Sequence, residues 1–236
     1  MEEELERIAT KVINLDGIRK KIADHLSYST QTTARASISM KVDMLNAQNY
    51  YEVVAKEIQE STGIKLNVTG LLVKAAARAL EKHPILNSIL IKDKIYVIGQ
   101  INVGVAVALE NALVVPVIRN ANNMSLAEIA RFLSNIVRRV RERALSPEEV
   151  GGGTFTITNL GSLGIDMLAP IINVPETAIL GVGGMTQSPV VVNGEIRIRP
   201  IITLNLCWDH RAFDGMPAAK FLVSLKEILE SGPSAL

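Results

Sequence analysis

The spacing of apolar residues changes along the chain, and each spacing predicts a different element. Apolar residues recur at helical intervals from Ile13 to Ser29, which predicts an amphipathic helix. Every second residue is apolar from Ala36 to Asp43, which predicts a strand buried on one face. Two helices are expected next, over Met44 to Ser61 and over Thr69 to Lys82, and Pro84 ends the second.

The middle of the chain is predicted to consist of strands followed by a helix. β-Branched residues dominate Lys94 to Arg119, which predicts successive strands in the centre of a sheet, with a turn at residues 110–112. Ser125 and Glu128 have the spacing of a capping box, and apolar residues follow them at helical intervals up to Val140. A helix with one buried stripe is therefore expected here.

Short strands, tight turns and one last helix are predicted for the final third. Residues 154–158 alternate as a strand that runs into the glycine-containing loop NLGSLG. A strand is expected around Thr177 to Val182, and the pair Asn193-Gly194 predicts a β-hairpin. Alternation resumes from Ile202 to Asp209, and an amphipathic helix follows the next turn. Without an internal repeat or a shift in composition, the pattern favours a single α+β domain.

Composition narrows the classes of function. The 236 residues carry 25 Lys and Arg against 24 Asp and Glu, and this net charge of +1 argues against general nucleic-acid binding. No apolar run in the sequence reaches the length of about 18 residues that a membrane span needs. Hydrophobic residues make up 48% of the chain, and such a surplus predicts a subunit interface and hence an oligomer. The single cysteine, Cys207, and an acidic N-terminus without a signal core point to the cytoplasm.

Ionisable residues are crowded at the end of the last predicted strand, and these are Asp209, His210, Arg211 and Asp214. One interpretation is structural, with His210 as a hydrogen-bonded core histidine and with Asp214 and Gly215 ending the turn and starting the helix. A metal site is less favoured, because Gly215 interrupts any helix that would place His210 and Asp214 on one face. The residues alone leave the structural and the catalytic interpretations open.

The sequence of this cluster resembles a family signature. Residues 209–215, DHRAFDG, are similar to the DHRxxDG motif of the catalytic domain of dihydrolipoamide acyltransferases, the core components of 2-oxo acid dehydrogenase complexes. Three more segments resemble that family in the same order, and these are ALVVPVIRNAN at 112–122, GGTFTITNLGSLG at 152–164 and APIINVPETAILGVG at 169–183. The resemblance implies a chloramphenicol acetyltransferase-like α+β fold, in which a mixed β-sheet flanked by helices is extended across a trimer interface.

The same resemblance implies how the chain is divided. Residues 14–236 are expected to form the acyltransferase catalytic domain, and residues 1–13 an N-terminal extension or linker remnant. The family places a lipoyl-attachment region and a peripheral-subunit-binding domain upstream, and neither is seen in this sequence. The chain is therefore expected to be an isolated piece of a longer protein.

The resemblance implies acyl transfer between two thiols, from dihydrolipoamide on a swinging arm to coenzyme A. A thiol with a pKa of about 8.5 is only a few per cent ionised at pH 7, so an imidazole with an ordinary pKa of about 6.5 suits the removal of its proton. His210 is the expected base. Thr158, where the family usually has a serine, is the expected hydroxyl donor to the oxyanion. Coenzyme A and a lipoyl group on a separate domain are the expected substrates, and no metal is expected.

Further residues take their expected roles from the same resemblance. Asp214 is expected to order the turn by pairing with Arg19, and the hydroxyl donor is expected to come from a neighbouring subunit. The other residues expected to order the site are Asp209, Arg211 and Gly215. The residues expected to contact substrate are Asn159, Leu160, Gly161 and Ser162.

The resemblance also implies partners. A homotrimer is expected to assemble into a larger hollow core that receives a lipoyl domain and, through upstream domains, a 2-oxo acid decarboxylase and dihydrolipoamide dehydrogenase; no nucleic acid and no membrane are expected. Two other functions stay open, a free-standing acetyltransferase that uses coenzyme A and a small-molecule acceptor, and a mainly structural core scaffold. The segments at 152–164 and 169–183 favour the complex-associated enzyme over the first. His210, Asp214 and the hydroxyl of Thr158 speak against the second.

Overall fold

The computed structural model describes residues 1–108, 113–142 and 145–232. The elements of the first half are α1 (Glu2–Ile8), α2 (Gly17–Thr32), β1 (Arg35–Asp43), α3 (Leu45–Thr62), α4 (Val68–Lys82), β2 (Ser88–Ile91) and β3 (Lys94–Val97). Those of the second half are β4 (Val103–Val105), β5 (Val107–Ala108), β6 (Leu113–Val114), β7 (Val117–Ile118), α5 (Leu126–Arg141), α6 (Pro147–Val150), β8 (Phe155–Asn159), β9 (Ala178–Val182), β10 (Thr186–Val192), β11 (Glu195–Asp209) and α7 (Gly215–Ser231).

Within the described residues, the strands form a main sheet of seven and two small hairpins. The order of the main sheet is β1-β11-β9-β8-β4-β7, and β10 pairs with the part of β11 that extends past β9. The sheet is mixed, because β8 is parallel to β4 and to β9 whereas the other neighbours are antiparallel. The register sets Thr158 of β8 beside Gly181 of β9, and Gly181 beside Asn205 of β11.

One face of the sheet carries the main core. Phe155 and Ile157 of β8 are fully buried there, and the ring of Phe221 from α7 lies 5.5 Å from that of Phe155. α4 is buried along most of its length, since its alanines let it approach its neighbours closely. Each large apolar side chain removed from water in this layer contributes about 1.5–3 kcal/mol.

A loop covers part of the opposite face of the sheet. The residues of a small second cluster on this side are Ile172, Ile179 and Cys207. The loop passes so close to β9 that a Cβ at Gly181 would lie 2.9 Å from the carbonyl oxygen of Leu168, which is why a glycine is needed there. Ser29 of α2 donates its hydroxyl to the carbonyl of Ile172 at 2.6 Å and so joins α2 to the loop.

Several predicted elements are confirmed with nearly the predicted bounds. β1 alternates as expected, with Val42 buried and Lys41 exposed. Ser125 and Glu128 form a complete capping box at the start of α5. Asn193-Gly194 is the turn that joins β10 to β11. The predicted mixed sheet with flanking helices is therefore present.

The prediction of central strands over residues 94–119 is wrong in part. β3 is exposed and pairs only with β2, and β7 lies at the edge of the main sheet, so β4 alone has a neighbour on both sides. β-Branched residues favour strands at any position in a sheet, and composition therefore does not report which strand is central. The turn predicted at 110–112 lies outside the described residues.

β10 and the first half of β11 form a two-stranded arm that extends beyond the rest of the sheet. The sequence predicts a hairpin at Asn193-Gly194 and a separate strand from Ile202, but one continuous strand begins at Glu195 and runs for 15 residues. Three apolar side chains of the arm are largely exposed: Val191 at 73%, Ile196 at 78% and Ile198 at 74%. The arm therefore presents apolar surface to solvent within the protomer.

Candidate active site

The turn that follows β11 is braced by one buried carboxylate. Asp209 is 2% exposed, and its two oxygens accept from Arg211 Nε at 3.0 and 3.1 Å and from Arg211 Nη2 at 2.6 Å. The backbone N–H groups of Ala34 and Arg211 donate to Asp209 Oδ1 at 3.2 and 3.1 Å. Because a buried carboxylate needs partners for its lone pairs, these donors hold the turn in one shape.

The same contacts determine the protonation states of Asp209 and Arg211, the ion pair that braces the turn. Burial raises the pKa of Asp209, but the hydrogen bonds from Arg211 and from the backbone outweigh burial and hold the pKa below its ordinary value. The hydrogen bonds to Asp209 raise the pKa of Arg211. The brace is therefore an ion pair at neutral pH.

His210 lies at the tip of this turn with its side chain 47% exposed. Its backbone N–H donates to the carbonyl of Ala34 at 2.9 Å, so the residue that precedes β1 holds the turn as well. The imidazole centroid lies 5.7 Å from the ring of Trp208, and Nδ1 lies 3.6 Å from Asp214 Oδ1. A separation of 3.6 Å is an electrostatic contact and not a hydrogen bond. This half-exposed ring does not fit the interpretation of His210 as a core histidine.

Asp214 faces His210 and not Arg19. Asp214 is the N-cap residue of α7, but its side chain forms no capping hydrogen bond and is 88% exposed. Arg19 lies in the first turn of α2, and no ion pair joins it to Asp214 among the described residues. The physical reason is that the end of α2 lies beside the turn, where Ala34 contacts His210, whereas at about 1.5 Å per residue Arg19 lies roughly 20 Å back along the helix. The expected pairing is therefore not formed within the protomer, and Gly215 simply begins α7.

Thr158 lies toward the opposite end of the sheet. Its side chain is half-buried, and its hydroxyl has no hydrogen-bond partner within the described residues. The register places Thr158 level with Asn205 two strands away, and His210 lies five residues farther along the chain. At about 3.3 Å per residue and about 4.8 Å per strand, Thr158 and His210 are separated by roughly 19 Å within one protomer.

The expected substrate-contact residues form a tight loop directly after Thr158. Asn159 Oδ1 accepts from the backbone N–H of Gly161 at 2.8 Å. A Cβ at Gly161 would lie 2.7 Å from the carbonyl oxygen of Gly183, so only a glycine fits there without a shift. Leu160 is half-buried and Ser162 is exposed. The loop is therefore fixed against the end of β9 while part of it stays open to solvent.

A buried carboxyl outside the predicted site lies beneath the same sheet. Glu176 is 3% exposed, and its carboxyl accepts from Thr156 Oγ1 at 2.6 Å and from Asn173 Nδ2 at 3.0 Å. Burial raises the pKa of Glu176 to about 8, although the two hydrogen bonds oppose the rise. Asn173 Oδ1 also lies 3.2 Å from His25 Nε2, so the network reaches α2. Sequence reasoning missed this carboxyl, and the one signal that could have indicated it is a single acidic residue within the apolar run INVPETAIL.

Other kinds of site find less support. Among the described residues, no group of three or more His, Cys, Asp and Glu side chains could hold a metal ion. No helix in the described part of the chain has the length and apolar character to cross a membrane. Burial raises the pKa of the Cys207 thiol, which makes this cysteine a poor nucleophile.

Comparison with known proteins places the chain in a family. The family model described as 2-oxoacid dehydrogenases acyltransferase (catalytic domain) matches residues 8–236. The chain belongs to this family. A curated member, the dihydrolipoyllysine-residue acetyltransferase component of the acetoin cleaving system of Bacillus subtilis (strain 168), is 42% identical over 224 residues, which cover 95% of this chain and 56% of that protein. The chain thus spans about half the length of the curated relatives it matches.

Solved structures of this acyltransferase family superpose closely. A dihydrolipoamide acetyltransferase of Azotobacter vinelandii has a TM-score of 0.91 at 29% identity, over 97% of this chain and 94% of that chain. It was studied for the roles of a serine, a histidine and an asparagine in its catalytic mechanism; the histidine follows the serine by 52 positions and precedes the asparagine by four. The cubic core of a pyruvate dehydrogenase multienzyme complex gives a TM-score of 0.89 at 29% identity, over 94% and 92% of the two chains.

A more distant likeness concerns the fold alone. Chloramphenicol acetyltransferase superposes on this chain with a TM-score of 0.54 at 11% identity, over 93% of this chain and 99% of that chain. The predicted family and the predicted chloramphenicol acetyltransferase-like fold are therefore confirmed. The extension of the sheet across a trimer interface stays a prediction.

Proposed function

We propose that this domain transfers an acyl group between dihydrolipoamide and coenzyme A, with His210 as the general base. The observation that carries the proposal is the half-exposed imidazole of His210 on a turn braced by the buried carboxylate of Asp209. A general base has to be held in one position and still reach a ligand. The brace supplies the first property, and the exposure of the ring supplies the second.

His210 accepts the proton of the coenzyme A thiol while the sulfur attacks the carbonyl carbon of S-acyl dihydrolipoamide. A new C–S bond forms, and the carbonyl oxygen becomes an oxyanion. When the oxyanion collapses, the C–S bond to dihydrolipoamide breaks, and the imidazolium returns its proton to the departing sulfur. Acyl-CoA and dihydrolipoamide result, with no net gain or loss of protons, so the same groups serve the reverse reaction.

Asp214 is suited to stabilise the imidazolium that forms in this sequence. Its carboxylate lies 3.6 Å from His210 Nδ1, so it is close to the positive charge at the moment when the ring carries two protons. Its 88% exposure means that solvent screens the attraction. We therefore assign Asp214 a supporting role, with a smaller effect on the rate than that of His210.

The oxyanion donor has to come from another protomer if Thr158 supplies it. A donor must lie about 3 Å from the oxyanion, whereas Thr158 and His210 of one protomer are roughly 19 Å apart. The hydroxyl of Thr158 lacks a partner among the described residues and is thus available to donate. We propose a homotrimer in which His210 of one protomer and Thr158 of the next serve one site.

The exposed arm supports such an association. β10 and the first half of β11 extend past the sheet and expose Val191, Ile196 and Ile198. Exposed apolar strands are typical of surfaces that pair with another chain. We propose that the arm extends the sheet onto the neighbouring protomer, in agreement with the oligomer expected from composition.

The Azotobacter vinelandii enzyme supports the choice of residues. The separations of its serine, histidine and asparagine are those of Thr158, His210 and Asp214 in this chain. Threonine keeps the hydroxyl of serine, and aspartate keeps one oxygen acceptor of asparagine while adding a negative charge. We therefore propose that the three positions take part in catalysis here.

The surroundings of the domain are proposed on the same grounds. The relatives are a component of the acetoin cleaving system and the cubic core of a multienzyme complex. We propose that residues 14–236 form the catalytic domain of a larger hollow core, served by a lipoyl domain, a 2-oxo acid decarboxylase and dihydrolipoamide dehydrogenase in the cytoplasm. Residues 1–13, whose described side chains are exposed, would connect the domain to the rest of the protein.

Acyl transfer from acetyl-CoA to dihydrolipoamide tests the proposal, with release of the coenzyme A thiol as the readout. His210→Ala should lower kcat by about 10²–10⁴-fold, the usual contribution of a positioned base, while sedimentation shows an unchanged assembly. Asp214→Asn is the matched control on the same turn and should have a smaller effect. Near-normal turnover by the His210→Ala variant would remove the assignment of the base.

A further inference from the structure

Thr69, in the first turn of α4, contacts the loop that follows the proposed oxyanion donor. Thr69 Oγ1 accepts a hydrogen bond from Asn159 Nδ2 at 3.2 Å, although the two residues are 90 positions apart in the chain. Asn159 is the residue directly after Thr158. The contact therefore ties the end of β8 to a helix of the main core.

The alternation of the strand makes this tie relevant to the hydroxyl. Successive side chains of a strand point to opposite faces, so Asn159 reaches the helix-covered side while Thr158 lies on the other side. Thr158 and Asn159 are joined by a single peptide unit. A contact that fixes the direction of Asn159 therefore also holds the backbone from which the Thr158 side chain projects.

Asn159 is engaged at both ends of its amide. The Nδ2 group donates to Thr69, and Oδ1 accepts from the backbone N–H of Gly161 at 2.8 Å, which closes a turn of the asparagine type. The amide cannot rotate without losing one bond or both. The orientation of the loop after Thr158 is thus coupled to the position of Thr69.

α4 is a firm anchor for this contact. The side chain of Asn67 caps the helix by accepting from the backbone N–H of Gly70 at 2.8 Å. Leu71 and Leu72, which follow, are at most 1% exposed. Because a buried, capped helix fluctuates less than a surface loop, it can hold the loop in position.

We propose that Thr69 is a positioning residue for acyl transfer, which acts through Asn159 on the hydroxyl of Thr158 and on the loop at 160–164. This inference rests on the proposed role of Thr158 as the oxyanion donor. Thr69 does not touch the reacting atoms. Loss of its hydroxyl should lower kcat by about three- to tenfold, the range expected for one neutral hydrogen bond, with little change in the KM for coenzyme A.

The test compares Thr69→Val, which keeps the shape of the side chain but removes the hydroxyl, with Thr69→Ser, which keeps the hydroxyl. The valine variant should show the lower kcat and faster amide hydrogen exchange at residues 160–164, and the serine variant should restore both toward the wild-type values. Thermal unfolding and sedimentation check that both variants fold and assemble. Wild-type kcat and wild-type exchange in Thr69→Val would overturn the proposal.

A double-mutant cycle with Thr158→Val separates a positioning effect from a merely structural one. If Thr69 acts in part through the hydroxyl, Thr69→Val should cause a smaller loss of kcat in the Thr158→Val background than in the wild type. A full, multiplicative loss in that background would overturn the proposal. A Thr158→Val variant with normal kcat would refute the donor role itself, whereas a slow Thr158→Val beside a normal Thr69→Val would refute only the role of Thr69.

Discussion

Replacement of Glu176 by glutamine tests the physical account of the buried network. The carboxyl of Glu176 is 3% exposed, and its neighbours are the hydroxyl of Thr156 and the amide of Asn173, with His25 beyond that amide. Burial raises the pKa of Glu176 to about 8, so the folded protein holds this carboxyl neutral at pH 7. Glutamine has the same shape and no charge; its amide oxygen can accept from Asn173 Nδ2, and its NH2 group can donate to Thr156 Oγ1.

The magnitude follows from linkage between protonation and folding. The ordinary pKa of 4.5 applies to the unfolded chain, and the folded value is about 8. The proton therefore stabilises the folded state fully below pH 4.5, and this stabilisation is lost as the pH rises toward 8. One pH unit between the unfolded and folded pKa values corresponds to about 1.4 kcal/mol, so the total is about 5 kcal/mol, of which about 3.5 kcal/mol is lost between pH 5 and pH 8.

The assay is denaturant unfolding of the wild type and of Glu176→Gln at pH 5, 6, 7 and 8. The stability of the variant relative to the wild type should rise by about 3.5 kcal/mol across this range, because only the wild type has to bind the proton. Glu195→Gln, on the exposed arm, is the control and should give no such trend. Parallel pH curves for the wild type and Glu176→Gln would refute the reasoning.

Other variants test the brace, the loop and the arm. Asp209→Asn removes the charge that pairs with Arg211 and should cost about 2–4 kcal/mol in thermal unfolding. The pKa of Asp209 in the folded protein is held below its ordinary value, so the wild type should lose this stabilisation as the pH falls through that pKa. A wild-type stability that does not change in this acidic range would argue against the ion pair. Gly161→Ala places a Cβ 2.7 Å from a facing carbonyl oxygen and should lower kcat; unchanged kinetics would show that the loop yields easily. The double change Ile196→Ser and Ile198→Ser should dissociate the assembly in sedimentation and abolish turnover, and a fully active trimer would count against the arm as an interface.

Local signals predicted those elements whose stability is local. The capping box at Ser125 and the turn at Asn193-Gly194 are determined by neighbouring residues, and both are present. The position of a strand within the sheet depends on partners far away in the chain. β3 therefore resembles a central strand in composition although it is exposed and pairs only with β2.

The same distinction between local and long-range contacts applies to the site. The motif that ends β11 placed His210, Asp209 and Arg211 together because they are adjacent in the chain, and in the structure Asp209 and Arg211 form an ion pair on either side of His210. The contact of Thr69 with Asn159 spans 90 positions and leaves no pattern in a single sequence. The pairing of Arg19 with Asp214 came from resemblance alone, and the protomer does not form it.

The central claim is that one catalytic site uses His210 of one protomer and Thr158 of the next. Co-expression of His210→Ala and Thr158→Val chains, each nearly inactive alone, tests this claim directly through the kcat of the mixed trimers. With equal and random mixing, about one quarter of the sites combine an intact His210 from one chain with an intact Thr158 from its neighbour, so about a quarter of the wild-type activity should return. Mixed trimers that show no more activity than the two parents would contradict the shared site.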